Sequence, residues 1–124
     1  MGITNLELPF PPSLNHYWRS VVMGRSARVL ISAAGRKYRE AVTGHVLAAR
    51  ANRMLTGRLS VRVDLSPPDR RKRDLDNYAK GLLDALTHAG VWADDEQIDR
   101  LVLARGAVCK GGRAVVAIEG YEHG

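Results

Sequence analysis

The run SPPDRRKRDLDNYAKGLLDAL, residues 66–86, passes through three kinds of structure. Pro67 and Pro68 stop any strand that precedes them, because proline donates no backbone N–H and fixes φ. Four consecutive cations, Arg70, Arg71, Lys72 and Arg73, then lead directly into Asp74 and Asp76. Beyond them Leu75, Tyr78 or Ala79, Leu82, Leu83 and Leu86 recur at helical spacing. The spacing predicts a helix over about 76–89, ended by Gly90. A strand, a charged loop and a helix in succession set the frame for the rest of the chain.

Upstream, Leu59, Val61, Val63 and Leu65 alternate with Ser60, Arg62 and Asp64, the pattern of a strand over 58–66 with one buried face. Residues 3–8 alternate similarly and stop at Pro9. Three prolines in the four residues 9–12 predict an extended, turn-rich segment through Arg19 that is neither helix nor central strand. Residues 18–31 fit a loose hairpin around MGRSA, and Ser32 reads as the N-cap of a helix reaching about Arg53. Its inward positions would be Ala34, Tyr38, Ala41, Val42, Val46 and Ala49. Downstream, VWADDEQ reads as a turn, and 98–109 and 113–121 as a hairpin around KGG, with Cys109 a strand residue. The expected fold is α+β: a small mixed β-sheet with two main helices packed on one face, in a single domain spanning 1–124.

Charge is unevenly distributed along the chain. The formal net charge is +6, with a pI near 10.0. Residues 1–53 carry eight basic and two acidic side chains, whereas 81–124 carry four and seven. A basic first part with an acid-rich last third points to a polyanion partner and a separate carboxylate cluster. Cys109 is the sole cysteine, which excludes an intramolecular disulfide and a cysteine-based zinc site. The first residues lack the pattern of a signal peptide, and no apolar run is long enough to span a bilayer, so the expected location is the cytoplasm, with no membrane partner.

Asp74 and Asp76 are two residues apart. Kept extended, such a pair points to one side; in a helix it would diverge by about 200°. The spacing therefore suits a loop-to-helix junction. Carboxylates facing one point repel unless a proton or cation lies between them, and magnesium accepts one or two carboxylates together with phosphate oxygens. Lys80 follows Asp76 by one helical turn and is able to meet a phosphate or developing negative charge. An i, i+4 ion pair between Asp76 and Lys80, or Asp76 as a helix cap, explains the same spacing. Asp94 and Asp95 form a third acidic element. The helix carries the chain roughly 20 Å away, and the order of strands decides whether that element returns to the first two.

The block PPDRRKRDLDNYAKGLLDALTHAGVWADDEQI, with LPFPPSLNHYWR, SAAGRKYRE and KGGR in the same order, resembles the RusA family of Holliday junction resolvases over nearly the whole chain. His16, Trp18 and a longer stretch between Trp18 and Ser32 depart from that pattern. The resemblance implies a homodimeric endonuclease dependent on Mg²⁺, with Mn²⁺ as a substitute and no small-molecule cofactor, that resolves branched DNA, the four-way junction, by paired nicks. It assigns metal binding to Asp74, Asp76 and Asp95, with Asp95 preferred over Asp94, and an active-site role to Lys80. It makes Arg70, Arg71, Lys72, Arg73 and Lys110 candidate DNA contacts. Phosphodiester hydrolysis needs cations to activate water and neutralise phosphate, and the DNA around them needs Arg and Lys. A nucleic-acid-binding protein that does not cut is the alternative. Phe10, Tyr17 and Trp18 supply apolar bulk for an interface between copies, or for packing onto the chain's own sheet.

Overall fold

The computed structural model describes residues 2–123. Strands β1 (Thr4–Leu8), β4 (Leu59–Ser66), β5 (Ile98–Arg105) and β6 (Arg113–Gly120) form one sheet in the order β1-β6-β4-β5. Strands β2 (Trp18–Met23) and β3 (Ser26–Ile31) form a separate antiparallel hairpin. Helix α2 (Ala33–Ala48) precedes β4, and helix α3 (Ala79–His88) connects β4 to β5. The α+β expectation holds.

β4 is a central strand and the most deeply buried of the sheet. Leu59, Val61, Val63 and Leu65 are at most 2 % exposed. With β6 they meet Leu6, Leu8, Ala114, Val116 and Ile118 in one core beneath Tyr38, Val42, Val46, Leu82 and Leu86 of the helices. The alternate residues Ser60, Arg62, Ala117 and Glu119 lie on the other face, which no helix covers. β4 and β5 run parallel, and only a crossover such as α3 can join parallel neighbours.

That crossover overturns the expected terminal hairpin. β5 and β6 both pair with β4 and not with each other. Residues 106–112 instead wrap the end of β4: Gly106 N–H donates to Leu65 O (2.7 Å) and Cys109 N–H to Pro67 O (2.9 Å). Cys109 and Lys110 therefore lie in a loop, not a strand.

Three local expectations also change. The proline-rich segment does hold a helical turn, α1 (Leu14–Tyr17). Its prolines all precede Ser13, whose carbonyl accepts from Tyr17 N–H (2.8 Å), so none removes a needed donor. α2 starts as expected, with Ser32 Oγ accepting from Gly35 N–H (2.9 Å), but it ends at Ala48. Arg50 turns into the left-handed region (φ 55°) and Ala51 N–H closes onto Val46 O; Ala49, and at the other end Ala34, are exposed rather than inward. Finally, α3 starts at Ala79 after a 3-10 turn, Leu75–Tyr78. Phe10, Tyr17 and Trp18 fold back onto their own chain. Tyr17 is completely buried, and Phe10 lies 5.2 Å from the Tyr78 ring.

Candidate active site

The basic loop is built by its own first carboxylate. Asp69 Oδ1 accepts from Arg71 N–H (2.9 Å) and from the Arg73 guanidinium (2.8 Å), a short cyclic turn closed by side chain. Arg73 also donates to the carbonyls of Asp69 and Arg71 and lies 5.7 Å from the Phe10 ring, with 12 % of its side chain exposed. Arg105 donates to Arg73 O (2.8 Å) and ties the loop to the end of β5. The Arg73 guanidinium, and then the Arg71 amide, hold the Asp69 carboxyl down to about 2. The four-cation run is thus not one surface. Arg70, Arg71 and Lys72 face solvent, whereas Arg73 is a strut.

Asp74 leaves this loop in extended conformation (φ −88°, ψ 129°), and Asp76 lies in the 3-10 turn. Both are exposed. Neither bland explanation of their spacing is realised among the described residues. Tyr78, not Asp76, occupies the cap of α3, and Asp74 makes no side-chain cap bond to the turn it precedes. Asp76 and Lys80 form no ion pair. Lys72, Asp74, Asn77 and Tyr78 share a surface depression of about 400 Å³.

The strand order brings the third acidic element back. Leu75–Tyr78 packs against β5, and a 3-10 turn, Asp95–Gln97, packs against α3. Within the acidic pair the two residues divide. Asp94 Oδ1 accepts from Glu96 N–H (2.9 Å), while the Gln97 side chain accepts from the amides of Ala93 (3.0 Å) and Asp94 (3.1 Å). Asp94 is a cap in a reciprocal capping box. Asp95 is half-buried, and its carboxyl is pushed above the usual range. Burial is the main cause, the neighbouring Asp94 adds to it, and Lys80 opposes it. Asp95 and Lys80 therefore lie in each other's field.

Among the described residues no three carboxylate, imidazole or thiol groups converge as a closed metal cluster. Asp74 and Asp76 on one turn and Asp95 on another remain separate arms. As a donor set they fit magnesium: all are hard oxygen ligands, and a cation would favour the charged form of Asp95 that burial and the neighbouring Asp94 oppose.

One group of residues escaped the sequence reading. The Tyr17 hydroxyl donates to Asp84, and Arg39 donates to Asp84 Oδ2 (2.9 Å) and to the Tyr17 oxygen (3.2 Å). Burial, and then Asp84, raise the Tyr17 hydroxyl above its ordinary range. Asp84 follows Lys80 by one turn of α3, so this network braces the helix from beneath. Gly81 permits the approach: a Cβ there would meet Tyr17 Cδ2 at 2.6 Å. The i+4 step from Lys80 to Asp84 was the visible signal, but Arg39 and Tyr17 are distant in sequence.

The family model described as endodeoxyribonuclease RusA matches residues 9–119. The chain is 44 % identical over 115 residues to a crossover junction endodeoxyribonuclease of Enterobacteria phage HK97, covering 93 % of this chain and 92 % of that one. It is 40 % identical over 118 residues to the protein so named in Shigella sonnei strain Ss046, and 38 % identical to that of Escherichia coli strain K12, each covering 95 % of both chains.

Proposed function

The chain belongs to the RusA endodeoxyribonuclease family, and from that premise we propose that it is an endodeoxyribonuclease acting on four-way DNA junctions, dependent on Mg²⁺ and nicking in pairs. Full-length similarity to proteins named crossover junction endodeoxyribonuclease supports the activity and the branched substrate. The single structural observation that carries the reading is the packing of the Asp95–Gln97 turn against α3, which puts Asp95 in the field of Lys80, one turn beyond the unpaired Asp76.

Asp74, Asp76 and Asp95 would hold the magnesium, which when bound supplies an activated water and neutralises phosphate charge. Lys80, one turn from Asp76, donates toward a non-bridging phosphate oxygen and offsets the negative charge that grows during attack. Tyr17, Arg39 and Asp84 keep the helix that bears Lys80 in place. Arg70, Arg71, Lys72 and Lys110 attract and orient the DNA backbone.

A junction has two-fold symmetry and one active site makes one nick at a time, so an isologous homodimer matches the substrate. Incubating the protein with an end-labelled synthetic four-way junction should give symmetric nicks with Mg²⁺ and none with chelator. The separate carboxylate arms favour one other reading, a DNA-binding protein that does not cut. Junction binding without nicks in either Mg²⁺ or Mn²⁺ would establish it instead. Sedimentation equilibrium should give about twice the 13.6 kDa chain mass; a monomer that makes paired nicks would refute the dimer.

A further inference from the structure

Lys80 also forms one wall of a cleft that neither the acidic arms nor the basic loop uses. The cleft has a volume of about 680 Å³ and is lined by Leu14 and Asn15 of α1, Trp18, Arg19 and Ser20 of β2, Val29 of β3, and Lys80. That volume lies within the roughly 300–1,000 Å³ of small-molecule sites. Its lining is apolar on one part and cationic on another, and it contains no carboxylate. Neither Arg19 nor Lys80 has an ion-pair partner among the described residues.

The fold holds this cleft open at both ends. Tyr17, between Asn15 and Trp18, is pinned to α3 through Asp84 and close contact at Gly81. The far wall is a cross-strand pair, since Ser20 and Val29 face each other in the hairpin. Hairpin residues 22–30 are all exposed, and Val22, Met23, Val29 and Leu30 present apolar side chains to solvent there.

An aromatic and two aliphatic walls, two unpaired cations and two neutral polar groups match one ligand chemistry: a nucleotide. A stacked duplex offers its phosphates but not the face of a base. We propose that this cleft seats a single unstacked nucleotide beside the scissile phosphate, its base against Trp18, Leu14 and Val29 and its phosphate between Arg19 and Lys80. Base-on-aromatic stacking and cationic phosphate contact are the two components of single-strand binding, and a base already outside a continuous stack costs least to seat. The assignment rests on the nuclease reading for DNA as the ligand, but not for the cleft's affinity.

Trp18 supplies the test. The chain has two tryptophans, and the other, Trp92, is completely buried. Titrating the full chain in chelator with the dinucleotide d(pTpT) should quench its tryptophan fluorescence saturably. Val29→Glu puts a carboxylate opposite the phosphate at an exposed strand position. It should weaken that titration by at least about tenfold while leaving the circular dichroism spectrum unchanged. Lys80→Gln, which leaves the hairpin intact, should weaken it as well. Equal quenching by inorganic phosphate, equal quenching in both variants, or none in the wild type would overturn the nucleotide seat. Absent quenching in a protein that cuts junctions defeats the cleft alone. Variant-sensitive quenching in a protein that cuts nothing defeats the nuclease reading alone.

Discussion

Residues 69–73 and the residues around Lys80 are both crowded with charge, yet the fold treats them in opposite ways. In the first, Asp69 and Arg73 neutralise each other and close a turn. In the second, Asp74, Asp76 and Lys80 stay unpaired among the described residues, and Asp95 is held in partial burial against another carboxylate. Salt bridges satisfied within a loop build shape. Charges left without partners are available to a ligand, and the fold gives up stability to leave them so. The same division separates Asp94, a cap, from Asp95, a free arm.

The strongest way to break this comparison is at the carboxylates. Asp74→Asn, Asp76→Asn and Asp95→Asn should each abolish junction cleavage while binding, read by gel shift in chelator, stays near wild type. Asp94→Asn should keep cleavage, because asparagine still caps the turn. Retained nicking in any of the first three, or equal loss at position 94, would erase the distinction.

Next in size is the brace under Lys80. Gly81→Ala should destabilise by about 1–3 kcal/mol through overpacking against Tyr17, seen as a lowered denaturation midpoint. Unchanged stability would mean that α1 is free to move away from α3.

The basic run sharpens the contrast within itself. Changing Arg70, Arg71 and Lys72 to alanine should flatten the salt dependence of binding, by up to about 0.9 in log–log slope for each lost phosphate contact. Arg73→Met should instead lower the denaturation midpoint and leave the slope nearly unchanged, because its guanidinium is spent on Asp69. The opposite assignment of slope and stability would show that the loop is turned out.

The smallest effect is on pH. Asp69 ionises more readily in the folded state, at about 2 against an ordinary 3.8, so its contribution is present above about 3.8 and disappears as pH falls toward 2. Asp95, whose carboxyl is raised, acts with the other sign: its neutral form suits the fold, and that contribution is lost as pH rises through its folded pKa. Asp69→Asn should therefore reduce the loss of stability between pH 4 and 2, whereas Asp95→Asn should stabilise the protein at neutral pH. Thermal denaturation across pH checks both signs.

Much was legible from neighbours in sequence. The alternation of 59–66, the Ser32 cap, the prolines after Ser66 and the acidic pair at the entry to α3 are each governed by steric and hydrogen-bonding rules acting within about four residues. The partner of each strand was not legible. β5 and β6 are separated by one short loop, and nothing local forbids a hairpin. They part because β4, whose Leu59, Val61, Val63 and Leu65 carry the middle of the core, takes a strand on both sides. Nor was the fate of individual charges. RRKR reads as four equal cations, and only the folded chain, by bringing Asp69, Phe10 and Arg105 around it, removes Arg73 from the surface. Sequence determined the main strands and helices and where the carboxylates enter. Tertiary structure alone decided which charges face one another, because that depends on contacts between residues tens of positions apart, whose pairing is chosen by burial of the whole core.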